Sequence, residues 1–295
     1  MINREISIMI RMKHPTIIND FNGKNQVSCY SLTDFNGKNQ VTILLDYAEN
    51  GSLADYLNKV RSGKKGYNLD NTTRQKILVG ISYAMMYLHR HNVIHRDLKP
   101  GNILLDENLE PHVSDFGVSR FYSEDVSRKK TNTQTECVGT LIYMAPEVIN
   151  GTKYDIKADV YSFGIIMYEI VTNSRPYPNE MNQFQLMNKV ISENMRPKFN
   201  EQVNEPLQLL IEQCWSSDPK NRPSFEEIFC KLAFNTNDPV YNVFEDEEET
   251  PKKYYLDNVD KNELLSYVDE IIDDNLFLQI QIKKLKDQIR NLENN

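Results

Sequence analysis

The chain has 295 residues, 40% of them hydrophobic, enough to bury the core of one large domain or of two lobes. The formal net charge of -8 and the lack of a basic stripe argue against a nucleic-acid partner. The longest apolar run, Tyr161–Val171, is too short to span a bilayer, and no signal peptide is recognisable, so we expect no membrane association. The cysteines have neither CxxC nor metal-ligand spacing, which favours reduced thiols and a cytoplasmic location.

The first predicted element is a short apolar helix over residues 4–13, which the His14-Pro15 dipeptide ends. The octapeptide DFNGKNQV follows at Asp20–Val27 and recurs unchanged at Asp34–Val41. Each copy contains Asn-Gly, a strong hairpin signal, and the second copy runs into the strand-like sequence QVTILLDY. We therefore predict a β-hairpin at the second copy. The first copy is interpreted as a duplicated surface insert, with a functional loop as the alternative.

Turns and helical patterns follow along the chain. Glu49–Val60 indicates a turn followed by a helix, and Arg61–Asn71 a polar loop. Thr72 and Gln75 fit a capping box, with Thr72 as the N-cap. They predict the start of a long apolar-periodic helix that ends near His91.

The second half of the chain is predicted to be mainly helical. Short β-like runs separated by turns fill 93–118, and a polar stretch occupies 119–140. Residues 146–234 have helical patterns, and the acidic run Glu245–Glu249 marks a solvated linker before a last helix over 256–294. The helical patterns are broken at Pro176, Pro178, Pro197, Pro219 and Pro223.

Four polar residues on adjacent predicted loops suit a site for magnesium and phosphate: Asp97, Lys99, Asn102 and Asp115. Magnesium takes few protein oxygens and shares its shell with water and phosphates, so Asn102 and Asp115 are predicted to hold the metal. Asp97 would orient an incoming hydroxyl and accept its proton. Lys99 would neutralise charge on the moving phosphoryl group.

These residues lie in three motifs that occur in order: VIHRDLKPGNILL at Val93–Leu105, VSDFG at Val113–Gly117 and MAPE at Met144–Glu147. The motifs match H-R-D-L-x-x-x-N, D-F-G and A-P-E. On them the chain resembles the eukaryotic protein kinases over roughly residues 4–234. The resemblance implies an α+β, protein-kinase-like fold with a mainly α-helical large lobe. It also implies transfer of the γ-phosphate of ATP, with Mg²⁺, to Ser/Thr hydroxyls of protein substrates in signal transduction.

The motifs combine features of two kinase classes. Lys99 in HRDLKPGN and Thr140 in GTLIYMAPEV resemble the serine/threonine kinases, which hold such a Thr against the catalytic Asp. ADVYSFGIIMYEIVT at Ala158–Thr172 and CWSSDPKNRPSF at Cys214–Phe225 resemble the tyrosine kinases instead. This mixture is typical of the tyrosine-kinase-like group of serine/threonine kinases.

The resemblance also assigns residues around the adenine. YAENGSLADYL at Tyr47–Leu57 looks like the hinge and the helix after it. By position, Leu45 would be the gatekeeper, and Asp46 to Ala48 the hinge that meets adenine. Leu104 would lie under the adenine ring.

Further residues receive structural roles from the resemblance. Arg222 should pair with Glu147 and tie the A-P-E segment to the large lobe. Asp159 should hold the backbone around His95 and Arg96. Arg96 would also receive a phosphate carried by the polar activation loop.

Glu5 lies before His14 at the spacing of the kinase helix-C Glu. A kinase also needs a Gly-rich loop and a strand Lys that pairs with this Glu. The 295 residues contain no G-x-G, and their first lysine is Lys13. We therefore expect a truncated small lobe and impaired activity. Two explanations stay open: an incomplete copy of a working kinase, or a catalytically dead pseudokinase acting as a dimeric scaffold.

The last predicted helix carries a heptad repeat, with d positions at Leu264, Ile271, Leu278, Leu285 and Leu292 and a positions at Val268, Asn275, Ile282 and Ile289. Mostly β-branched residues at a, with mostly Leu at d, favour a parallel two-stranded coiled coil and hence a homodimer. An amphipathic helix docked on the kinase body is the alternative. The predicted organisation is a truncated small lobe (1–48), a large lobe (49–234), a linker (235–253) and a coiled-coil helix (254–295).

Overall fold

The chain divides into two units, Met1–Asp246 and Glu247–Asn295, and all residues that the structure describes lie in the first. The structure is a computed structural model. Most of the predicted helix over 4–13, the first repeat copy, the linker and the predicted coiled-coil helix lie outside the described residues. The described residues are 12, 14–18, 29–33, 39–43, 47–121, 140–151, 155–177, 181–199 and 203–233.

Two antiparallel strands confirm the hairpin predicted at the second repeat copy. Strand β1 (Cys29–Thr33) pairs with β2 (Asn39–Ile43), and Thr33 lies opposite Asn39 in the register. The Asn36-Gly37 dipeptide of the second copy falls in the connection between the two strands. The second copy therefore supplies both the connection and the first residues of β2.

The other described strands are β3 (Gly51–Ser52), β4 (Val93–Ile94), β5 (Ile103–Leu105), β6 (Pro111–Val113) and β7 (Arg120–Phe121). Strands β3, β5 and β6 form an antiparallel sheet in that order, and β4 pairs with β7. Ile17 extends the sheet of β3, β5 and β6 through a parallel bridge to Val113. In that bridge the Val113 amide donates to the Thr16 carbonyl at 2.9 Å, and the Ile18 amide donates to the Val113 carbonyl at 3.1 Å. The segment around Ile17 thus braces the strand that leads into Asp115.

The described α-helices are α1 (Leu53–Arg61), α2 (Asn71–Arg90), α3 (Pro146–Ile149), α4 (Lys157–Thr172), α5 (Gln183–Ser192), α6 (Glu205–Cys214) and α7 (Phe225–Ala233). The predicted helix breaks agree with this order. Pro176 follows α4, Pro197 lies between α5 and α6, and Pro219 opens a short 3₁₀ turn before α7. Within the described ranges, no helix is long and apolar enough to cross a bilayer.

The start of α2 corrects one prediction. Asp70, not Thr72, is the N-cap, and its carboxylate accepts a hydrogen bond from the Thr73 amide at 2.8 Å. Gln75 is only 4% exposed, so its side chain packs inward instead of closing a capping box. Aspartate caps a helix as well as threonine does, and a start at Asn71 turns Gln75 towards the core.

Helix α4 forms the centre of the large lobe, and nearly all of its residues are buried. It packs on α6, where Gly164 permits a close approach. A Cβ at this position would lie 2.9 Å from the Cβ of Cys214 and 3.2 Å from the amide nitrogen of Trp215. Helix α4 is therefore a fixed platform, and its Asp159 reaches the loop described next.

Candidate active site

The loop after β4 is held in place by one buried carboxylate. Asp159 accepts hydrogen bonds from the amides of His95 and Arg96 at 2.8 and 2.9 Å, which confirms the role predicted for it. The ring of His89 lies 2.9 Å from the same carboxylate. Burial raises the pKa of Asp159, but the bond and charge of His89 outweigh it, so the pKa lies below its usual value. Asp159 therefore stays ionised beneath the loop.

His95 joins this loop to the segment that carries Asp115. Its Nε2 lies 3.0 Å from the Ser114 carbonyl, which can only accept, so Nε2 carries the proton. Its Nδ1 then accepts from the amide of Asp97 at 3.3 Å. The ring also packs against the fully buried Phe116, at 5.4 Å between centroids. Both predicted catalytic loops are thus fixed by the same imidazole.

The carboxylate of Asp97 is held on one side only. Lys99 Nζ lies 2.6 Å from its Oδ2, and Asn102 Nδ2 donates to the same oxygen at 3.0 Å. Asn102 also donates to the Asp97 carbonyl at 2.8 Å. The other oxygen, Oδ1, is buried and has no hydrogen-bond partner among the described residues. An unpaired buried carboxylate oxygen is costly, so its presence points to a partner that joins during function.

Asn102 and Asp115 lie on neighbouring strand ends. The Ser114 amide and hydroxyl donate to the Asn102 carbonyl at 2.9 and 3.0 Å, which brings the residue before Asp115 against Asn102. Asp115 itself is exposed, and its φ of 63° lies in the left-handed region. Arg96 has a similar φ of 73°. Non-glycine residues in this region carry local strain, which tends to occur at functional sites.

The donor set fits magnesium better than a metal that needs many protein ligands. Among the described residues, no group of three or more His, Cys, Asp or Glu side chains could hold an ion. Asn102 uses only its Nδ2 in the bonds to Asp97, so the side-chain oxygen takes no part in them. One amide oxygen and the exposed Asp115 carboxylate suit a metal that fills its shell with water and phosphate oxygens.

The predicted adenine contacts are described in part. Asp46 and Glu5 lie outside the described residues, while Ala48 and Leu104 are both half-buried. The Ala48 carbonyl accepts from the Gly51 amide at 3.0 Å, and Ser52 then pairs with Leu104. This turn and strand pair bring the segment of Ala48 beside the strand of Leu104.

The predicted ion pair between Glu147 and Arg222 is confirmed. Arg222 Nη1 and Nη2 lie 2.6 and 2.9 Å from the two carboxylate oxygens, and its side chain is fully buried. Its Nε also donates to the Ser216 carbonyl at 2.9 Å, and Nη1 to the Lys157 carbonyl at 2.9 Å. The A-P-E segment is therefore tied to both α4 and the turn before α7.

Two buried polar residues escaped the sequence interpretation. His89 supports Asp159 from α2, and Glu169 of α4 bonds to Arg61 and Tyr143. Glu169 is the one acidic residue in the apolar run Phe163–Val171, and that pattern could have marked it. His89 lies beside Arg90 at the end of α2, where the sequence gives no such signal. A buried charge in such a run needs a partner from elsewhere in the fold.

The chain is similar in sequence to several known proteins. The family described as protein kinase domain matches residues 1–234. The chain is 36% identical over 210 residues to serine/threonine-protein kinase STY17 of Arabidopsis thaliana, covering 71% of this chain and 34% of that protein. It is 36% identical over 231 residues to the Dictyostelium discoideum protein named probable serine/threonine-protein kinase drkC, covering 78% of this chain and 28% of that protein.

A third relative is serine/threonine/tyrosine-protein kinase HT1 of Arabidopsis thaliana, 34% identical over 228 residues, or 77% of this chain and 53% of that protein. The chain thus spans between 28% and 53% of the length of these three relatives. The family match covers the H-R-D, D-F-G and A-P-E motifs and most of the chain. On this match the predicted family is confirmed, and the chain belongs to the protein kinase domain family.

Proposed function

We propose that the chain is a serine/threonine kinase of the tyrosine-kinase-like group that transfers the γ-phosphate of ATP to protein hydroxyls. The observation that carries the proposal is the half-satisfied carboxylate of Asp97, with Lys99 and Asn102 on one oxygen and none of the described residues on the other. The serine/threonine kinase names of the relatives support the choice of acceptor.

Asp97 is proposed as the base. The acceptor hydroxyl donates to Oδ1 of Asp97, and its oxygen attacks the γ-phosphorus. The bond from that phosphorus to the bridging oxygen breaks, ADP leaves, and the hydroxyl proton passes to the carboxylate. Lys99 and Asn102 orient the carboxylate, and the ammonium group of Lys99 is proposed to offset the charge of the moving phosphoryl group.

Asn102 and Asp115 are proposed as the ligands of Mg²⁺. When bound, the metal would neutralise phosphate charge and orient the phosphates. The protein contribution is to hold the two ligands on neighbouring strand ends, through Ser114 and the imidazole of His95.

ATP is proposed to lie between the turn that contains Asp46 and Ala48 and the strand that carries Leu104. The pairing of Ser52 with Leu104 supports this, because it brings the two segments onto adjacent strands. Glu5 is proposed on resemblance alone to face the nucleotide from helix C.

The test is transfer of labelled phosphate from ATP, with Mg²⁺ and a generic acceptor protein, compared between the chain and Asp97→Asn. Asp218→Asn is the matched control, because it makes the same change in an exposed surface turn. We expect transfer that falls about 10²–10⁴-fold in Asp97→Asn, the usual contribution of a general base, and that persists in Asp218→Asn. Equal transfer by all three proteins would contradict the proposal.

A catalytically dead scaffold is the alternative that the same assay distinguishes. Folded protein that transfers no phosphate above the Asp97→Asn background would favour the scaffold.

Homodimerisation through 254–295 is proposed from the heptad pattern alone. Sedimentation of the full chain at micromolar concentration is expected to give a dimer. Leu278→Lys, at a d position, should yield a monomer, whereas Asp287→Lys, outside the a and d positions, should not. A monomeric parent chain would exclude the coiled coil.

The domain boundaries and the location are also proposals. We assign 1–48 to the small lobe, 49–234 to the large lobe and 235–253 to a linker. A cytoplasmic location is supported by the free thiols of Cys214 and Cys230. Burial raises the pKa of the Cys230 thiol to about 12, so it stays protonated and unreactive.

A further inference from the structure

The end of α1 and the loop after it carry a basic cluster, on a chain whose net charge is -8. In residues 59–65, four of the seven residues are Lys or Arg and none is acidic. Arg61 is already used in an ion pair with a buried carboxylate of α4. Lys59, Lys64 and Lys65 remain, and we call these three residues the lysine cluster. Among the described residues, no carboxylate forms an ion pair with any of them.

The turn that carries the lysine cluster has a defined backbone. The Lys64 amide donates to the Lys59 carbonyl at 3.0 Å, and the Tyr67 amide donates to the Lys64 carbonyl at 3.3 Å. Gly63 and Gly66 have φ of 67° and 90°, in the left-handed region that glycine adopts without strain. The fold therefore sets where the lysines of this turn leave the backbone.

Two of the three ammonium groups lie against one aromatic ring. Lys59 Nζ is 4.8 Å and Lys64 Nζ 5.5 Å from the ring centroid of Tyr67. The edge of the buried Tyr56 ring supports Tyr67 at 5.4 Å between centroids, and the Tyr56 hydroxyl donates to the Asn68 carbonyl at 2.7 Å. The face of an aromatic ring attracts an ammonium group but offers it no oxygen acceptor. The ring thus gathers two cations that can still bind a carboxylate.

The acidic residues nearest along the chain are engaged elsewhere. Asp55 accepts a hydrogen bond from the Ser52 hydroxyl at 2.6 Å, at the start of α1. Asp70 caps α2 and accepts from the Thr73 amide at 2.8 Å. Neither carboxylate forms an ion pair with the lysine cluster, so these neighbours do not neutralise its positive charge.

We propose that the lysine cluster binds an acidic, extended segment of a partner protein. An ammonium group is a point charge without the planar fork of a guanidinium, so three of them suit a row of carboxylates better than a single phosphate. In an extended peptide, alternate side chains lie about 7 Å apart on the same face. Two carboxylates at this spacing can bind the neighbouring ammonium groups of Lys59 and Lys64. The inference goes beyond the proposed kinase function and does not rest on it.

A membrane surface fits the lysine cluster less well. Among the described residues of 59–70, no large apolar side chain is exposed and could insert into a bilayer. Binding to anionic lipid would then depend on three cations alone, and the net charge of -8 opposes it. An acidic peptide needs only the local charge, so it is the favoured partner.

The test is fluorescence anisotropy of a labelled hexaglutamate peptide titrated with the full chain at low salt. The double variant Lys64→Gln/Lys65→Gln removes two exposed ammonium groups from the cluster. Lys198→Gln/Lys220→Gln is the matched control, because it removes the same charge from two exposed lysines after α5 and in the turn before α7. We expect binding to weaken about three- to tenfold in the first variant and to stay within about twofold of the parent in the control.

A further variant separates the ring from the charges. Tyr67→Leu keeps all three lysines but removes the ring that gathers two of them, so binding should weaken about two- to threefold. Added NaCl should weaken binding by the parent as well, because it screens exposed charges.

Equal affinity of the parent and the two double variants for hexaglutamate would overturn the inference. It would also be overturned if the parent bound vesicles of phosphatidylserine and phosphatidylcholine through Lys64 and Lys65 but did not bind hexaglutamate, since the surface would then recognise lipid. The assay contains no ATP, so a chain that transfers no phosphate still gives a decisive result.

Discussion

The loop after β4, which carries Asp97, and the ion pair of Arg222 with Glu147 both bury charged groups, yet they use their hydrogen-bonding capacity differently. Arg222 bonds to two carboxylate oxygens and two carbonyls. Asp97 leaves one buried oxygen without a partner among the described residues, and Arg96 beside it has a strained φ of 73°. Saturated contacts stabilise the scaffold, whereas strain and an unused acceptor are tolerated where a substrate has to bind.

The largest loss of stability is expected at the buried ion pair of Arg222 with Glu147. Arg222→Met leaves Glu147 as a nearly buried charge without its guanidinium, which typically costs about 3–5 kcal/mol in unfolding free energy. Lys76→Met is the matched control, because its ion pair with Glu110 at 3.3 Å is more exposed and should be worth at most about 1 kcal/mol. Denaturant unfolding of both variants measures the difference. Equal losses of unfolding free energy in Arg222→Met and Lys76→Met would contradict a special structural role for the ion pair of Arg222 with Glu147.

A smaller effect is expected where the scaffold packs without charge. Gly164→Ala places a methyl group 2.9 Å from the Cβ of Cys214, and neither helix can move away cheaply. Overpacking of this kind costs about 1–3 kcal/mol. Thermal unfolding should show the loss, with phosphate transfer by the folded fraction unchanged. An unchanged midpoint of thermal unfolding in Gly164→Ala would contradict the rigid packing of α4 against α6.

The smallest effect is the pH dependence of the unfolding free energy that comes from His14, in the segment that bridges to Val113. Burial, and then the charge of His91, lowers the pKa of His14 from 6.5 to about 3. Between these values the unfolded chain binds a proton that the folded chain does not, so stability is complete above about pH 6.5 and declines as pH falls towards 3. We expect a loss of about 1 kcal/mol between pH 7 and 5.5 from this group.

His14→Asn should remove that share of the pH dependence. His91→Gln, on the exposed neighbour, should retain most of it. The measurement is denaturant unfolding at several pH values. The same slope in the parent and in His14→Asn would contradict the burial of a neutral His14.

The sequence predicted what short motifs carry. The order of the H-R-D, D-F-G and A-P-E motifs predicted the family. The same resemblance predicted the contact of Asp159 with the His95 backbone and the ion pair of Arg222 with Glu147, and the structure contains both. The hairpin at the second repeat copy was also predictable, because Asn-Gly between two strands is a strong local signal.

Other features needed the fold. The choice between Asp70 and Thr72 as N-cap depends on which way α2 turns its buried face, and local chemistry allows both. The contact of Glu169 with Arg61 and Tyr143 joins residues far apart along the chain, so no local period encodes it. The bridge from Ile17 to Val113 was missed for the same reason.

The most direct test of the account measures activity and stability together in Asp97→Asn. If Asp97 contributes to catalysis and little to folding stability, phosphate transfer by Asp97→Asn should fall about 10²–10⁴-fold. The unfolding free energy of the same sample should stay within about 1 kcal/mol of the parent, since one carboxylate oxygen has no partner among the described residues to lose. A loss of stability as large as that of Arg222→Met, or transfer that survives the substitution, would contradict the account.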